Sequence, residues 1–489
     1  MKKYLVLALM IVMAGFVSLT AQSNGYIVAG WTMNDTNGPM GDWDFTLVRL
    51  NENGRPQWQK NYGGVLPEMP QPILGHSQTL IRTADGGYLL MGNTQSYVHG
   101  TPGGDIDILL YRLDAGGNKL WRKNLGGMYG DFSKVMLQTA DGGFLLASTT
   151  TSFVHGTPNS DSDFLVYKLD AAGNKQWRKN FGGLGSEYVS TIQATPDGGY
   201  VLAGSTLSFT NGGFDFLVYK LNGNGQKQWR KNFGGPGSEP VAPPIQDVRL
   251  VQTSDGGYAL AGVTSSYANG GGGDIDFLIY KLDGAGKKQW RKNFGGILYE
   301  GIIGSVEMSQ TADGGFILGG STQSYVHGMA GDYDYLVYKL DAAGKKQWRQ
   351  NYGGTQPDPF PFPYSQIKLQ QTTDGGYTLA GSTMSYYSVN PGMSDFLVYK
   401  LDGAGNKEWR RNYGGGYYEP PLTTEGQELR LKPTADGGYV LAGSSWSFGF
   451  PGMATILVYK LSPGGAVEWR EIIGDFYSDV FAEIYEITN

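Results

Sequence analysis

DGGYVLAGSTLSFTNGGFDFLVYKLNGNGQKQWRKNFGG, residues Asp197 to Gly235, is the stretch whose reading decides the fold. It divides into three short runs. GYVLAGST (199–206) is rich in β-formers, FDFLVYKL (214–221) is apolar with β-branched and aromatic residues, and QKQWRKNF (226–233) alternates about a tryptophan. Glycine-rich punctuation separates them. Runs of this kind between turn signals read as three antiparallel strands.

The unit recurs along the chain. Its DGG signature stands at Asp85, Asp141, Asp197, Asp255, Asp313, Asp374 and Asp436, in steps of 56 to 62 residues. A weaker copy, NGYIVAG, begins at Asn24. The tryptophan recurs as Trp58, Trp121, Trp177, Trp229, Trp290, Trp348, Trp409 and Trp469, which makes eight copies. A fourth run precedes each DGG, for example YVSTIQAT (Tyr188 to Thr195). We label the strands a (before DGG), b (after it), c (DFLVYKL) and d (around Trp). Four antiparallel strands per unit, repeated eight times, predict an all-β protein, an eight-bladed β-propeller. The ends predict a closed ring. The first copy begins in strand b at Asn24, and the run after Trp469, GDFYSDVFAEIYEITN, aligns with the strand a that follows Trp177. The C-terminal strand, Val480 to Ile487, is therefore expected to complete the first blade.

Residues 1–21 read as a secretory signal peptide, with Lys2 and Lys3 before an apolar run from Tyr4 to Val17 and a small-residue exit at Ser18 to Ala21. The run is short for a membrane span. Residues 22–489 then form one propeller domain with no transmembrane segment. There is no cysteine, which excludes disulfides, a redox thiol and a lipid-modified cysteine. The formal charge of −6, more negative once the signal lysines are removed, argues against a nucleic-acid partner. An exported location follows: periplasm, outer-membrane surface or medium.

Because strands alternate in direction, the short a–b and c–d turns are expected on one face of the ring and the b–c and d–a loops on the other. The distance from Trp to the next DGG varies from 20 to 27 residues, so length variation concentrates in the d–a loops. Long loops on a rigid scaffold are where binding sites usually lie. Several are rich in proline and aromatics, with Phe360 and Phe362 in one and Tyr417 and Tyr418 in another. The b–c loops carry aromatics at Tyr97, Phe153, Phe209, Tyr267, Tyr325, Tyr387 and Phe448. Two readings stand for these: an open ring that stacks on a sugar or holds a peptide, or side chains that each seal the top of their own blade. The basic residues of strand d, such as Lys175, Arg178 and Lys179, read as protection of an exposed outer edge.

Three b–c loops share S-[YF]-V-H-G, with His99, His155 and His327. They fall in blades 2, 3 and 6, too far apart to converge on one zinc ion. Pairs of aspartates open strand c, among them Asp105/Asp107, Asp161/Asp163, Asp274/Asp276 and Asp332/Asp334. They are weak calcium candidates, because the spacing of a calcium loop is incomplete. The alternative is a carboxylate that accepts backbone N–H bonds where the strand starts. No nucleophile elbow, HExxH or phosphate loop is present.

The unit DGGYxLAGST…DFLVYKLDxxGxxxWRKNxGG resembles a repeat of secreted propeller proteins of Bacteroidota and some archaea. That resemblance covers the whole mature chain and implies export and a propeller. Many such proteins end in a sorting domain for type IX secretion, whereas this chain is expected to end at its closing strand. LDAAGNKQW (Leu169 to Trp177) is also similar to the tryptophan-docking motif of eight-bladed quinoprotein dehydrogenases, with one residue fewer between Asp and Trp. Those enzymes often carry a vicinal cysteine pair that is missing here. Non-enzymatic relatives of that superfamily, such as the BamB-like outer-membrane scaffold, share the motif without a cofactor.

The sequence therefore supports an exported, non-catalytic propeller that needs no cofactor. It would bind a protein or carbohydrate at the cell envelope through its b–c/d–a face, as a monomer or as a subunit of an outer-membrane assembly. The alternative is an enzyme, quinoprotein-like or carbohydrate-active, using the same face.

Overall fold

The structure is a computed structural model of the 489-residue chain. It describes residues 23–33, 42–68, 78–210, 212–240, 247–270, 274–301, 306–329, 331–359, 367–387, 389–419, 429–449, 453–474 and 478–488.

The repeat dictates a sheet, and the sheet that forms has four antiparallel strands. In blade 4 these are β12 (Glu187–Ala194), β13 (Tyr200–Thr206), β14 (Asp215–Leu221) and β15 (Lys227–Phe233), hydrogen-bonded in that order. Tyr200 lies opposite Leu221 and Thr206 opposite Asp215. The DGG turn between β12 and β13 places Gly198 at φ 77°, a conformation that favours glycine. Asp197 Oδ1 accepts the Gly199 N–H at 3.1 Å, as expected for a turn cap.

Thirty-two strands, β1 to β32 in chain order, form eight such sheets, and no helix occurs among the described residues. The first blade is composite. β1 (Ser23–Thr32), β2 (Asp44–Leu50) and β3 (Pro56–Tyr62) are joined on the inner side by β32 (Asp479–Thr488). Val28 pairs with Val48 on one side and Ile484 on the other. The C-terminal strand thus closes the ring, as its alignment predicts.

Strand c is apolar on both faces because it is covered on both faces. Every residue of β14 is buried. The core lies between blades: Ala147, Phe164 and Val166 of blade 3 pack on Val189, Leu202, Leu217 and Tyr219 of blade 4. Burial of each such side chain contributes about 1.5–3 kcal/mol. The strand-c lysine is buried too, and it is paired. Lys168 Nζ lies 2.8 Å from Asp141 Oδ2 of its own DGG turn and donates to the Leu169 carbonyl at 3.0 Å.

Strand d forms the outer edge, and its charged residues, such as Lys175 and Lys179, are exposed. Its tryptophan leans on the next blade. Trp121 Nε1 donates to the Ala171 carbonyl at 3.2 Å, in the following c–d turn. Trp469 does the same across the closing seam, to the Glu52 carbonyl at 3.0 Å, with its ring 5.3 Å from that of Tyr26. Each such contact ties the outer strand of one blade to its neighbour.

Strand a faces inward and lines a central cavity of about 430 Å³. Ion pairs cross it from blade to blade. Arg249 and Lys368 meet Glu307 at 2.9 and 3.2 Å, Arg430 meets Glu483 at 3.2 Å, and Lys134 meets Asp247 at 2.8 Å. Partly buried charges of this kind are tolerated when paired. No helix among the described residues is long and apolar enough to cross a membrane.

Candidate docking face and the carboxyl pairs beneath it

The b–c and d–a loops share one face. Ser152 Oγ of a b–c loop donates to the Tyr129 carbonyl of a d–a loop at 2.7 Å, and Asn390 Nδ2 donates to the Gly416 carbonyl at 2.7 Å.

The b–c aromatics are placed by a turn. In blade 2 the N–H groups of Ser96 and Tyr97 both donate to Thr94 Oγ1, at 3.0 and 3.2 Å, which folds the ring back over the sheet. The guanidinium of the strand-d arginine of the same blade then covers the ring. The distance to the ring centre is 3.6 Å for Arg122 over Tyr97 and for Arg178 over Phe153, 3.5 Å for Arg230 over Phe209, and 3.6 Å for Arg291 over Tyr267. Arg349 over Tyr325 and Arg470 over Phe448 complete the pattern at 3.7 and 4.4 Å. Where the ring is a tyrosine, its O–H donates to a carbonyl of the preceding blade: Tyr97 to Gly63 at 3.0 Å, Tyr267 to Gly234 at 2.7 Å, Tyr325 to Gly295 at 3.1 Å. In blade 7 this place belongs to Tyr386, with Arg410 3.4 Å above it and the Gly353 carbonyl at 2.6 Å. The adjacent Tyr387, assigned to that place from the sequence, is instead solvent-exposed. Tyr417 is exposed, and Tyr418 packs edge-on against Trp446. Phe360 and Phe362 lie outside the described residues.

The three histidines stay in their own blades. His99, His155 and His327 each point Nδ1 at the strand-c aspartate below, Asp107, Asp163 and Asp334. The same aspartates accept the histidine backbone N–H at 2.9–3.1 Å. In blade 5, Asn269 takes this place on Asp276, with its N–H at 3.0 Å. The outer aspartates do similar work: Asp161 accepts the Thr157 N–H at 2.6 Å, Asp274 that of Ile275 at 2.8 Å, Asp332 that of Tyr333 at 2.9 Å, and Asp105 that of Ile106 at 2.8 Å. Among the described residues, no group of three or more such ligands is placed to hold a metal ion.

A second set of carboxylates went unnoticed in the sequence, although its signal is regular. An acid stands ten residues after each of the eight repeat tryptophans: Glu68, Asp131, Glu187, Glu239, Glu300, Asp358, Glu419 and Asp479. All eight are fully buried. Each lies at the seam between two blades, and all but Asp479 follow a blade whose strand c opens with an aspartate. Glu187 shows why it is held there. It accepts the Gly183 N–H at 2.9 Å, the Thr206 O–H at 2.6 Å and the Ser208 N–H at 3.1 Å. Its Oε2 and the Oδ1 of Asp163 both point at Gly182, where a Cβ would overlap the two atoms. Gly63, Gly234, Gly295 and Gly414 stand in the same relation to the pairs Asp44–Glu68, Asp215–Glu239, Asp276–Glu300 and Asp395–Glu419. The closing seam differs, because Thr455 replaces the aspartate opposite Asp479.

Two carboxylates in a dry seam oppose each other's ionisation. Burial pushes Asp131 up to about 6, and the Asp107 charge adds to this. Burial and Asp395 push Glu419 up to about 7. Asp358 is raised to about 6, again by burial. Glu68 is raised by burial and by its contact with Asp44, and Asp276 by burial and by its contact with Glu300.

Above these seams the loop tips are apolar. Leu184, Met329, Ile297 and Met128 are 81, 78, 77 and 73% exposed, and Val65, Leu207, Val389 and Tyr417 are exposed beside them. No lysine or arginine occurs in any b–c or d–a loop. The c–d turns on the other face carry charge, as in DAAGNK and DGAGKK.

No protein-family model and no curated protein matches the chain. Among solved structures it is similar to a protein of unknown function from Bacteroides caccae, at 12% identity over 62% of this chain and 90% of that one, with a TM-score of 0.33. It is also similar to the polysaccharide lyase Uly1, at 12% identity over 85% and 92% with a TM-score of 0.44, and to a Synechocystis apocarotenoid oxygenase, at 11% over 96% and 93% with 0.40. Likenesses of this size carry no activity over. The class of the protein, an eight-bladed propeller, rests on its own strand pairing.

Proposed function

We propose that this chain is an exported, non-catalytic propeller that docks a protein partner at the cell envelope through its b–c/d–a face. One observation carries the reading: most of the exposed large apolar side chains gather at the loop tips of that face, and the sequences of those loops contain no lysine or arginine. Loop tips without lysine or arginine and with exposed Leu, Ile, Met and Tyr have the composition of a protein interface core. A carbohydrate would favour open aromatic faces, but the b–c rings each carry an arginine on one face. In this reading Tyr97, Phe153, Phe209, Tyr267 and Tyr325, with His99, His155 and His327, form the base of the surface, and the apolar tips make the contact.

The test is affinity capture from the native envelope in mild detergent, with the tag at the C-terminus. β32 ends there, at the turn face. Wild type is compared with the variant M128D/L184D/I297D. A stoichiometric protein recovered by wild type and reduced at least about tenfold by the variant supports docking through the tips. Equal recovery by both, or binding to a glycan array unaffected by the variant, contradicts it.

A further inference from the structure

Six of the eight seams bring two buried carboxyls together where one would suffice to cap the loop. The donors around them are already spent. At the seam between blades 5 and 6, Glu300 accepts the Gly296 N–H at 3.0 Å and the Thr322 O–H at 2.8 Å, and Asp276 Oδ2 accepts the Asn269 N–H at 3.0 Å. Asp276 Oδ1 is buried and takes no hydrogen bond from any N–H or O–H donor; the same holds for Asp107, Asp163 and Asp334. It points at Gly295, as Glu300 Oε2 does. Two inward oxygens suit a proton. They fall well short of the six to eight that calcium takes.

We propose that each of these seams shares a single proton between its two carboxyls, and that this proton clamps the loop face, which loosens as pH rises past neutrality. The clamp stands on the seam geometry alone; its consequence for docking rests on the function proposed above. The mechanical link is short. Glu300 holds the Gly296 N–H, and the next residue, Ile297, is an exposed tip. Gly183 and Leu184 repeat the arrangement on Glu187, as do Gly64 and Val65 on Glu68. Removal of the proton leaves two facing anions in a dry seam, and their repulsion acts on the backbone that carries the tip.

The sign follows from linkage. Asp276 and Glu300 are both raised above their ordinary values of 3.8 and 4.5, by burial first. The closed seam holds a proton that an opened one releases. Closure is therefore fully favoured below about pH 4 and is lost as pH rises through neutrality. The Tyr338 phenol interacts with Glu300, and Tyr325 and the Arg349 guanidinium act on that phenol in turn. The seams of Asp107, Asp163 and Asp334 also face histidines, so the seam of Asp276 and Glu300 isolates the carboxyls.

Hydrogen exchange of the purified chain tests this without a partner. Protection of the segment Gly295–Gly301 is followed from pH 5.5 to 8.5 and corrected for the intrinsic rate. Protection is expected to fall up to about tenfold per pH unit until the pair has ionised. Glu300→Gln, which supplies a neutral N–H donor in place of the shared proton, should abolish the step, and so should Asp276→Asn. If neither variant folds, the segment at Ile473–Gly474 of the closing seam is the control, because Thr455 there predicts no step. A flat profile at all six seams overturns the proposal. So does a step that persists in Glu300→Gln, or one reversed by calcium and restored by a chelator. Exchange that behaves as expected while affinity capture finds nothing would leave the clamp and remove the docking.

Discussion

A single methyl group separates tolerance from disruption at Gly182. The residue adopts no unusual turn; it is fixed by the two carboxylate oxygens that occupy the place a Cβ would take. Gly182→Ala would push Asp163 and Glu187 apart at a site with no free volume. It is expected to destabilise the protein by about 2–3 kcal/mol, read from a denaturant midpoint at constant m-value. Ala substitution of Gly198 would test a different cause, positive φ, with open space around the added methyl. The buried lysine of strand c belongs to this scale too. Lys168 sits in an otherwise apolar strand because Asp141 and the Leu169 carbonyl receive its ammonium.

The strand is the scale at which the sequence was most legible. Alternation, glycine punctuation and eightfold repetition placed strands a to d, their order and the exposed edge. Strand d illustrates why. Its exposed charges cost nothing in the fold and prevent pairing with another chain. Replacing Lys175 and Lys179 by threonine should change stability by less than about 0.5 kcal/mol, yet increase self-association measured by light scattering. Unchanged scattering would show that the edge is protected in another way. The loops were harder to read. The DxD motif was visible, but its partner acid lies in the d–a loop or at the first residue of strand a, amid variable sequence, and only the fixed offset from tryptophan reveals it. Likewise the b–c tyrosines advertise a binding ring, whereas the arginine that covers each one lies in a different strand, a pairing that no local pattern contains. The register of Tyr386 was legible in the sequence: it follows Ser385 and stands three residues after Thr383, as Tyr97 follows Ser96 and Thr94.

At the scale of the whole molecule, closure couples everything. β32 supplies the inner strand of the first blade, and Trp469 docks on the turn at Glu52. Deletion of residues 480–489 would strip the channel side of blade 1, remove Phe481 and Ile484 from the core, and uncover Tyr26, Val28, Val440 and Ala442, which pack with them. The melting temperature should fall by at least about 10 °C. A truncated chain that melts with the wild type would refute closure as a source of stability. The ring also explains how a protein of modest charge presents two unlike faces, one of charged short turns and one of apolar tips over proton-sharing seams.

The apolar-tipped face is the one proposed to meet a protein. Site-specific photo-crosslinking addresses it most directly, with a photoreactive residue in place of Leu184 at a loop tip and, separately, in place of Ala172 in an exposed turn of the opposite face. Irradiation in the native envelope should give a discrete protein adduct from position 184 and none from position 172. Adducts from both positions alike, or from 172 alone, would contradict the account.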